Sequence, residues 1–575
     1  MSRGKFIDKD RLTGIVVLVL IFVGYQFYLS RHPPQKPVPK PGGSNAPMAL
    51  VAAPSSTGAQ EQAEAQPATP AQPAVSAQAV VEPFAVVPLA APQPEALPSF
   101  VLSNELATYT FSAFGGDLSS IELARTPLVR KGPIRVSCAA SNGWEVPLRI
   151  RSVGGLDMNT LAMAPAKMTD TELVLTGMLA QTLLVTKQYR LDANYLLRAS
   201  VAFRNSSTTP LNVSNQFTVW LGRIDHATSI QDPRGSTVCL VQNGIRRVVA
   251  QEPAKKDGNV TIAGPAEWLA VRNKYFTNIL IPGTNADAVV VDSLGTNAER
   301  LVSTYASFLL PALAPGGTHE WQATLFTGPK AYELLQALPT HVGYGGSYTD
   351  IINFGWFSII AKPILVYGLK GLFKYVHSYG IAIIILTIIV KVLTWPLQTK
   401  SYQSMQGMQK LKPEMDKLQV KYKGDPQQLH QEQILLYRKH GINPLGGCLP
   451  MVLQIPIFIA LYQALWNAVE LWGAPFLWIK DLSLPDTVYT LPFKIPFLGD
   501  GVHPLPLLMT AATIGQQLMT PATGDKSQQQ MMYMMPVMFL FIFYNMPSGL
   551  VLYWFVNQLL SMGQTFYLHY MKEAK

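Results

Sequence analysis

Gly380-Ile-Ala-Ile-Ile-Ile-Leu-Thr-Ile-Ile-Val-Lys391-Val-Leu-Thr-Trp-Pro-Leu397 is the stretch on which the fold of this 575-residue chain turns. Residues 379–397 are long enough to cross a hydrocarbon core of ~30 Å at ~1.5 Å per helical residue. The stretch is almost wholly apolar, yet it carries the positive charge of Lys391. A charge at that depth costs roughly 2.5–3.5 kcal/mol on insertion scales, so it needs a partner or water beside it. Thr387, Lys391, Thr394 and Gln398 follow one another at steps of four, three and four. That spacing puts all four on one helical face, a narrow polar stripe on an apolar rod. The stripe is expected to line a water-accessible groove inside a helical bundle.

Composition agrees with a membrane protein. Hydrophobic residues make up 48% and charged residues 14%, a balance skewed away from soluble enzymes. The net charge of +10 is explained by lysines flanking membrane spans, since no basic, aromatic-interleaved nucleic-acid module is present. Cys138, Cys239 and Cys448 lie far apart and show no metal-ligand spacing. Cys448 falls in an apolar run and reads as a small buried hydrophobe. Cys138 and Cys239 fall in a domain placed outside the cytoplasm, where a disulfide is permitted.

The chain divides by composition. Residues 1–32 read as an N-terminal transmembrane signal anchor: Arg3, Lys5, Lys9 and Arg11 precede an apolar run over 12–29, and no small-x-small cleavage site follows. Residues 33–97 are rich in Pro, Ala, Gln and Val and read as an extended tether. Residues 98–340 change to short alternating segments. Leu197, Ala199, Val201 and Phe203 fall on one strand face, with Arg198, Ser200, Ala202 and Arg204 on the other. Turn signals recur at Phe114-Gly-Gly-Asp117, Asp232-Pro-Arg-Gly235 and Ala314-Pro-Gly-Gly317. The expectation is a large β-sandwich-like domain. Its acids and His226 are scattered, with no catalytic constellation.

Residues 341–378 mix Lys362, Lys370 and Lys374 with apolar residues and read as an amphipathic interfacial helix region. The second transmembrane helix spans 379–397. Residues 398–443 turn polar and read as a cytoplasmic helical hairpin broken at Gly424-Asp-Pro426. Its basic residues, among them Lys410, Lys412, Lys417, Lys421 and Lys423, outnumber its acids and put it in the cytoplasm. It is either a solvated coil or a surface for anionic lipid or ribosomal RNA. Four further transmembrane helices are expected within 444–568, at about 444–466, 504–519, 531–546 and 548–568, followed by a short cytoplasmic tail, 569–575. Both termini then lie in the cytoplasm. The last span repeats the polar spacing in Tyr553, Asn557, Ser561 and Gln564, and Gln454 stands in the third. One polar residue in such a helix makes a helix–helix hydrogen bond as a rule, whereas stripes on two helices and a buried lysine point to a shared polar cavity.

Several chemistries are missing. There is no GxxxxGK[ST] phosphate loop, no HExxH and no Cys/His cluster, and no cofactor or metal is expected. Met546-Pro-Ser-Gly549 lacks the preceding glycine of an intramembrane serine protease motif. The site is one for binding, and the chain is not expected to be an enzyme. A transporter in which Lys391 binds a small anion is the rival class; the lack of an internal repeat and the basic hairpin weigh against it.

The run Asn443-Pro-Leu-Gly-Gly-Cys-Leu-Pro450, with Gln454-Ile-Pro-Ile-Phe458, Ala460-Leu-Tyr462 and Pro547-Ser-Gly-Leu-Val-Leu-Tyr553, resembles the YidC/Oxa1/Alb3 membrane protein insertase family. The anchor and β domain, with Gly115-Gly-Asp117, Trp268, Tyr275-Phe276 and Gly328-Pro329, resemble its Gram-negative form. The resemblance implies an inner-membrane insertase and chaperone that inserts integral membrane proteins, alone or with the Sec translocon. Its implied fold is polytopic and α-helical: a signal anchor, a five-helix core around a hydrophilic groove, a periplasmic β domain and a cytoplasmic hairpin. Lys391 matches a position where the family usually has Arg, so the charge stays while the bidentate fork is lost. Thr387 and Gln454 match groove positions, and Tyr553 and Trp554 match an aromatic pair that contacts substrate. With the stripe residues Thr394, Gln398 and Asn557 these form the expected groove. Nascent membrane proteins, the Sec translocon, membrane lipids and, through the hairpin lysines, the ribosome are the implied partners. Family members often carry a longer basic tail for ribosome docking, a role that here falls to the hairpin.

Overall fold

The structure, a computed structural model, describes residues 99–573 apart from 139–145, 151, 154–155, 212–216, 223, 225–235, 242–244, 248–259, 295–300, 343–347, 356, 443–448, 497 and 520–525. The signal anchor, the tether, His226, the Asp232-Pro-Arg-Gly235 turn and Cys448 lie outside the described residues, as do the side chains of Cys138 and Cys239.

Two large antiparallel sheets build most of the β domain. The smaller joins Ser99–Ser103, Ala107–Ser112, Leu118–Leu123 and Ile134–Cys138 in sequence order. The larger has thirteen strands, and Leu183–Leu191, Leu196–Asn205 and Thr318–Pro329 are neighbours in it. Alternation decides which side chains face inward. Leu197, Ala199, Val201 and Phe203 are buried as expected, while Arg198 and Arg204 are exposed. Register then sets Ala199 opposite Tyr189 and Val201 opposite Lys187. Phe111 of the small sheet packs on Tyr189 with tilted rings whose centroids are 4.5 Å apart, closing the sandwich.

Lys187 falls in that inward row and is fully buried. The small sheet supplies its counterion, Asp117, with Arg149 Nε 3.9 Å from the same carboxylate. Asp117 reaches it because Gly115 and Gly116 adopt φ of +65° and +62°. A Cβ on Gly116 would stand 2.7 Å from Met163 Sδ, and the Gly116 carbonyl accepts a 2.9 Å hydrogen bond from the Tyr189 hydroxyl. Burial pushes the Asp117 carboxyl upward while Lys187 pulls it back. The Ala314–Gly317 turn signal also forms, with Gly317 N donating to the Ala314 carbonyl at 2.8 Å.

A helix, Tyr332–Val342, leads from the β domain to the helical segment expected to be interfacial, made of Ser358–Pro363, a π-helical stretch Ile364–Lys370, and Gly371–Val376. Beyond it run α1 (Tyr379–Lys410), α2 (Lys412–Lys421), α3 (Pro426–Lys439), α4 (Leu449–Asn467), α5 (Pro504–Met519), α6 (Lys526–Phe543) and α7 (Ser548–Glu573). Over an 18-residue window α1 reaches a mean hydropathy of 2.2, enough by length and composition to cross a membrane. It does not end at 397: nothing between Gln398 and Lys410 breaks a helix, and the first stop is Leu411, ahead of Lys412-Pro413. The hairpin is therefore α2 and α3, with Asp425 capping α3 by accepting from Gln427 N and Gln428 N at 3.0 Å each. Lys410, Lys412, Lys417, Lys421 and Lys423 are all exposed.

The β domain docks on the loop between α4 and α5, a contact with no sequence signature. Lys131 Nζ lies 2.6 Å from Asp481 Oδ2, and Arg130 donates to the Glu470 carbonyl. Trp472 is buried between Tyr275 and Phe276, with centroids 5.8 and 5.5 Å away. Arg272 donates to the Ile351 carbonyl.

Replacing Asp117 by alanine leaves the Lys187 charge buried without its nearest counterion and is expected to cost about 3–5 kcal/mol, read as a lower melting temperature of the full-length protein in detergent. The paired exchange Asp117→Leu with Lys187→Met should recover most of the loss. An Asp117→Ala protein that melts with the wild type contradicts the buried pair.

Candidate functional site

The polar stripe on α1 faces α7. Lys391 is 2% exposed, whereas Leu393, two residues on, is 73% exposed, so the helix has one buried face and one apolar face left open to its surroundings. The Lys391 ammonium donates to Ser561 Oγ at 2.7 Å and to Gln398 Oε1. An ammonium carries three donors, so two are taken by these side chains. Both acceptors are neutral, and among the described residues no carboxylate forms an ion pair with Lys391. The charge is solvated without being neutralised.

The surrounding bonds fix this geometry. Gln398 Nε2 donates to Thr394 Oγ1 at 3.2 Å, turning its oxygen toward the lysine. The Thr394 hydroxyl bonds back to the Val390 carbonyl at 3.0 Å, as expected of threonine inside an apolar helix. Ser561 Oγ donates to the Asn557 carbonyl at 2.8 Å, which leaves its lone pairs for Lys391. One turn further, Gln564 Nε2 donates to Thr399 Oγ1 at 3.1 Å and to the Trp395 carbonyl at 3.3 Å. Gln558 Nε2 donates to Thr513 Oγ1 at 3.3 Å and ties α7 to α5. Across the bundle Gln454 Nε2 donates to the Tyr553 hydroxyl at 2.9 Å, joining α4 to α7.

The structure thus brings together Lys391, Thr394 and Gln398, and separately Gln454 with Tyr553. Thr387 is buried, with its hydroxyl bonded to the Ile383 carbonyl at 2.7 Å. Asn557 is half-buried and reaches the lysine only through Ser561. Trp554 points its ring into an aromatic cluster with Phe458, Phe539 and Phe543, at centroid distances of 5.2, 5.6 and 5.3 Å. Ser548, the serine of Met546-Pro-Ser-Gly549, is fully buried and donates to the Leu484 carbonyl at 2.7 Å, the place of a turn anchor and not of a nucleophile. Ser561, Thr399 and Gln564 are the members that the sequence did not single out as site residues. The spacing of the last helix contained two of them; their partners became visible only when α1 and α7 packed together.

These features and the family matches define a class first. Residues 371–575 match the family described as 60Kd inner membrane protein, and residues 159–367 match the YidC periplasmic domain. The class is a two-part inner-membrane protein, a helical core joined to a periplasmic β domain. A membrane protein insertase YidC of Syntrophus aciditrophicus is 33% identical over 98% of this chain and 99% of its own. One of Syntrophobacter fumaroxidans is 41% identical over 57% of this chain, a match that spans little more than half, 58%, of that relative. A solved active YidC insertase with its first transmembrane domain resolved aligns over 82% of this chain and 93% of its own at 19% identity, with a TM-score of 0.36, too low an overlap to carry detail across. The chain belongs to the YidC family of membrane protein insertases.

Ser561→Ala removes one of the two described acceptors of the Lys391 ammonium and is expected to cost about 1–3 kcal/mol, measured by thermal unfolding in detergent. In a Lys391→Met background the same change should cost much less, because the donor it served is gone. Equal losses in both backgrounds contradict the contact.

Proposed function

We propose that this protein moves hydrophobic segments of other proteins into the inner membrane through a polar groove between α1, α4 and α7, with Lys391 as its charged element. The observation that carries the reading is the Lys391 ammonium, buried in an apolar bundle and held, among the described residues, by neutral oxygens alone. An ammonium so placed attracts an incoming carboxylate: at an effective dielectric constant near 20, two charges ~4 Å apart gain about 4 kcal/mol before desolvation. The groove supplies polar partners to a segment in transit, and so lowers the cost of taking it through a region without water. The apolar helix of the substrate meanwhile slides along the open faces of the core into lipid.

In this reading the polytopic core consists of α1, α4, α5, α6 and α7, preceded by the signal anchor, with both termini cytoplasmic. Thr387, Thr394, Gln398, Gln454, Tyr553, Asn557 and Ser561 line or support the groove, and Trp554 stiffens its wall through the aromatic cluster. The exposed lysines of the hairpin suit an anionic macromolecule, and ribosomal RNA at the site of synthesis is such a surface. The Sec translocon is a partner for substrates that need it. No bond is made or broken, so the protein is a binding machine and not an enzyme. The α1 stripe reads a charge and not a fork: a lysine needs only a point contact, whereas arginine asks for bidentate geometry.

Lys391→Arg is therefore expected to retain insertion. Lys391→Ala should reduce insertion of substrates with acidic translocated segments by about tenfold and leave neutral ones nearly unchanged, measured by protease protection in proteoliposomes. Equal insertion of both substrate types by Lys391→Ala contradicts the attraction.

A further inference from the structure

A cavity of about 260 Å³ opens where the connecting helix Tyr332–Val342, the interfacial segment and the first turn of α1 meet, lined by Glu333, Lys370, Phe373, Lys374, Tyr379 and Glu470 among others. Lys370 Nζ stands 3.0 Å from Glu470 Oε1 and 3.4 Å from Glu333 Oε1. Lys370 and Glu470 are buried, which makes that pair a fixed floor. Lys374, one helical turn on, and the 61% exposed Glu333 side chain stand at the mouth. Phe373 and Tyr379 stack at 4.0 Å and 8° to form an apolar wall.

The mouth therefore presents the Lys374 ammonium and the Glu333 carboxylate, one oxygen of which is shared with Lys370, to the same space. A lone anion there meets the Glu333 carboxylate, and a lone cation meets Lys374. A ligand with a phosphate and an ammonium a few atoms apart satisfies both, each with a charge-assisted hydrogen bond. The volume is below the usual range for drug-sized ligands and suits a polar headgroup alone. The cavity lies at the start of α1, where hydrocarbon begins if α1 spans. Ile359, Tyr367 and Tyr375 are exposed on the adjoining segment, two of them tyrosines of the kind that settle at headgroup level.

We propose that this cavity binds the phosphoethanolamine headgroup of a bilayer lipid, its phosphate on Lys374 and its ammonium on Glu333. The proposal rests on reading α1 as a membrane span. The bound headgroup bridges the connecting helix of the β domain to the interfacial segment and so holds the β domain at a fixed height on the bilayer.

Native mass spectrometry of the full chain in detergent, with dioleoyl phosphatidylethanolamine, phosphatidylcholine and phosphatidylglycerol added singly, tests the proposal. Phosphatidylethanolamine should bind about tenfold more tightly than the other two, because choline has no N–H for Glu333 and glycerol no charge. Lys374→Ala and Glu333→Gln should each abolish that preference. Lys362→Ala, on the same segment but outside the cavity, should keep it. Lys374→Arg should keep it as well, which separates a lost site from a lost fold. Equal binding of the three lipids, or Lys374→Ala and Glu333→Gln proteins that bind as the wild type does, overturns the proposal. Tighter binding of free O-phosphorylethanolamine than of the lipid overturns the bilayer as source. Release of the chain from membranes by alkaline carbonate is a separate result, which overturns the span and the proposal with it.

Discussion

An ammonium group inside an apolar helix cannot be left without oxygen around it, and the helical core is arranged about that constraint. Lys391 sits too far along α1 to reach water without a cavity, so its donors are met by Gln398 on the same helix and Ser561 on α7. Those contacts fix both the facing and the register of the two helices. The Gln564 bond to Thr399 falls into place one turn later, and the Gln454 bond to Tyr553 seats α4 against α7. An apolar seam alone would tolerate sliding by a turn. Directional bonds of this kind do not, because a slip leaves donors in a medium with nothing to accept from them.

Charge is handled differently elsewhere in the chain. Lys187 is neutralised by Asp117 across the sandwich, Lys131 by Asp481 where the β domain meets the core, and Lys370 by Glu470 beneath the interfacial segment. Each of these pairs joins two different structural elements, and each lysine has a carboxylate close by. Breaking such a pair from one side strands a charge, so they serve as fasteners. Lys391 has amide and hydroxyl oxygens instead. These lower its burial cost while its charge stays uncompensated among the described residues. The difference between an anchored lysine and an available one lies in the acceptor, not in the depth of burial.

The loop between α4 and α5 is where the two halves meet. Trp472, Asp481 and Glu470 all come from the segment between α4 and α5, and the same segment accepts the Ser548 hydroxyl at the start of α7. The β domain therefore touches the end of the core away from the basic hairpin. Its docking braces that end of the bundle, while the stripe around Lys391 lies in the middle of α1.

Much of this was legible in the chain. Alternation at Leu197–Phe203 names the inward row correctly, since strand period depends on nothing but neighbouring residues. The steps between Thr387, Lys391, Thr394 and Gln398 name the buried face of α1 for the same reason. Gly424-Asp-Pro426 marks a real break. What the sequence could not provide was the partner of each buried polar group. Ser561 lies 170 residues from Lys391, and Asp117 lies 70 residues from Lys187. No local rule says that α7 and not α5 faces the lysine, or that Trp472 enters the β domain between Tyr275 and Phe276. The same limit explains why Trp554, next to Tyr553, turned to an aromatic cluster rather than to the polar stripe. Periodicity is a property of a few consecutive residues, and it fixed which side of each element is polar; which polar sides meet depends on packing the whole chain, and only the tertiary structure decided it.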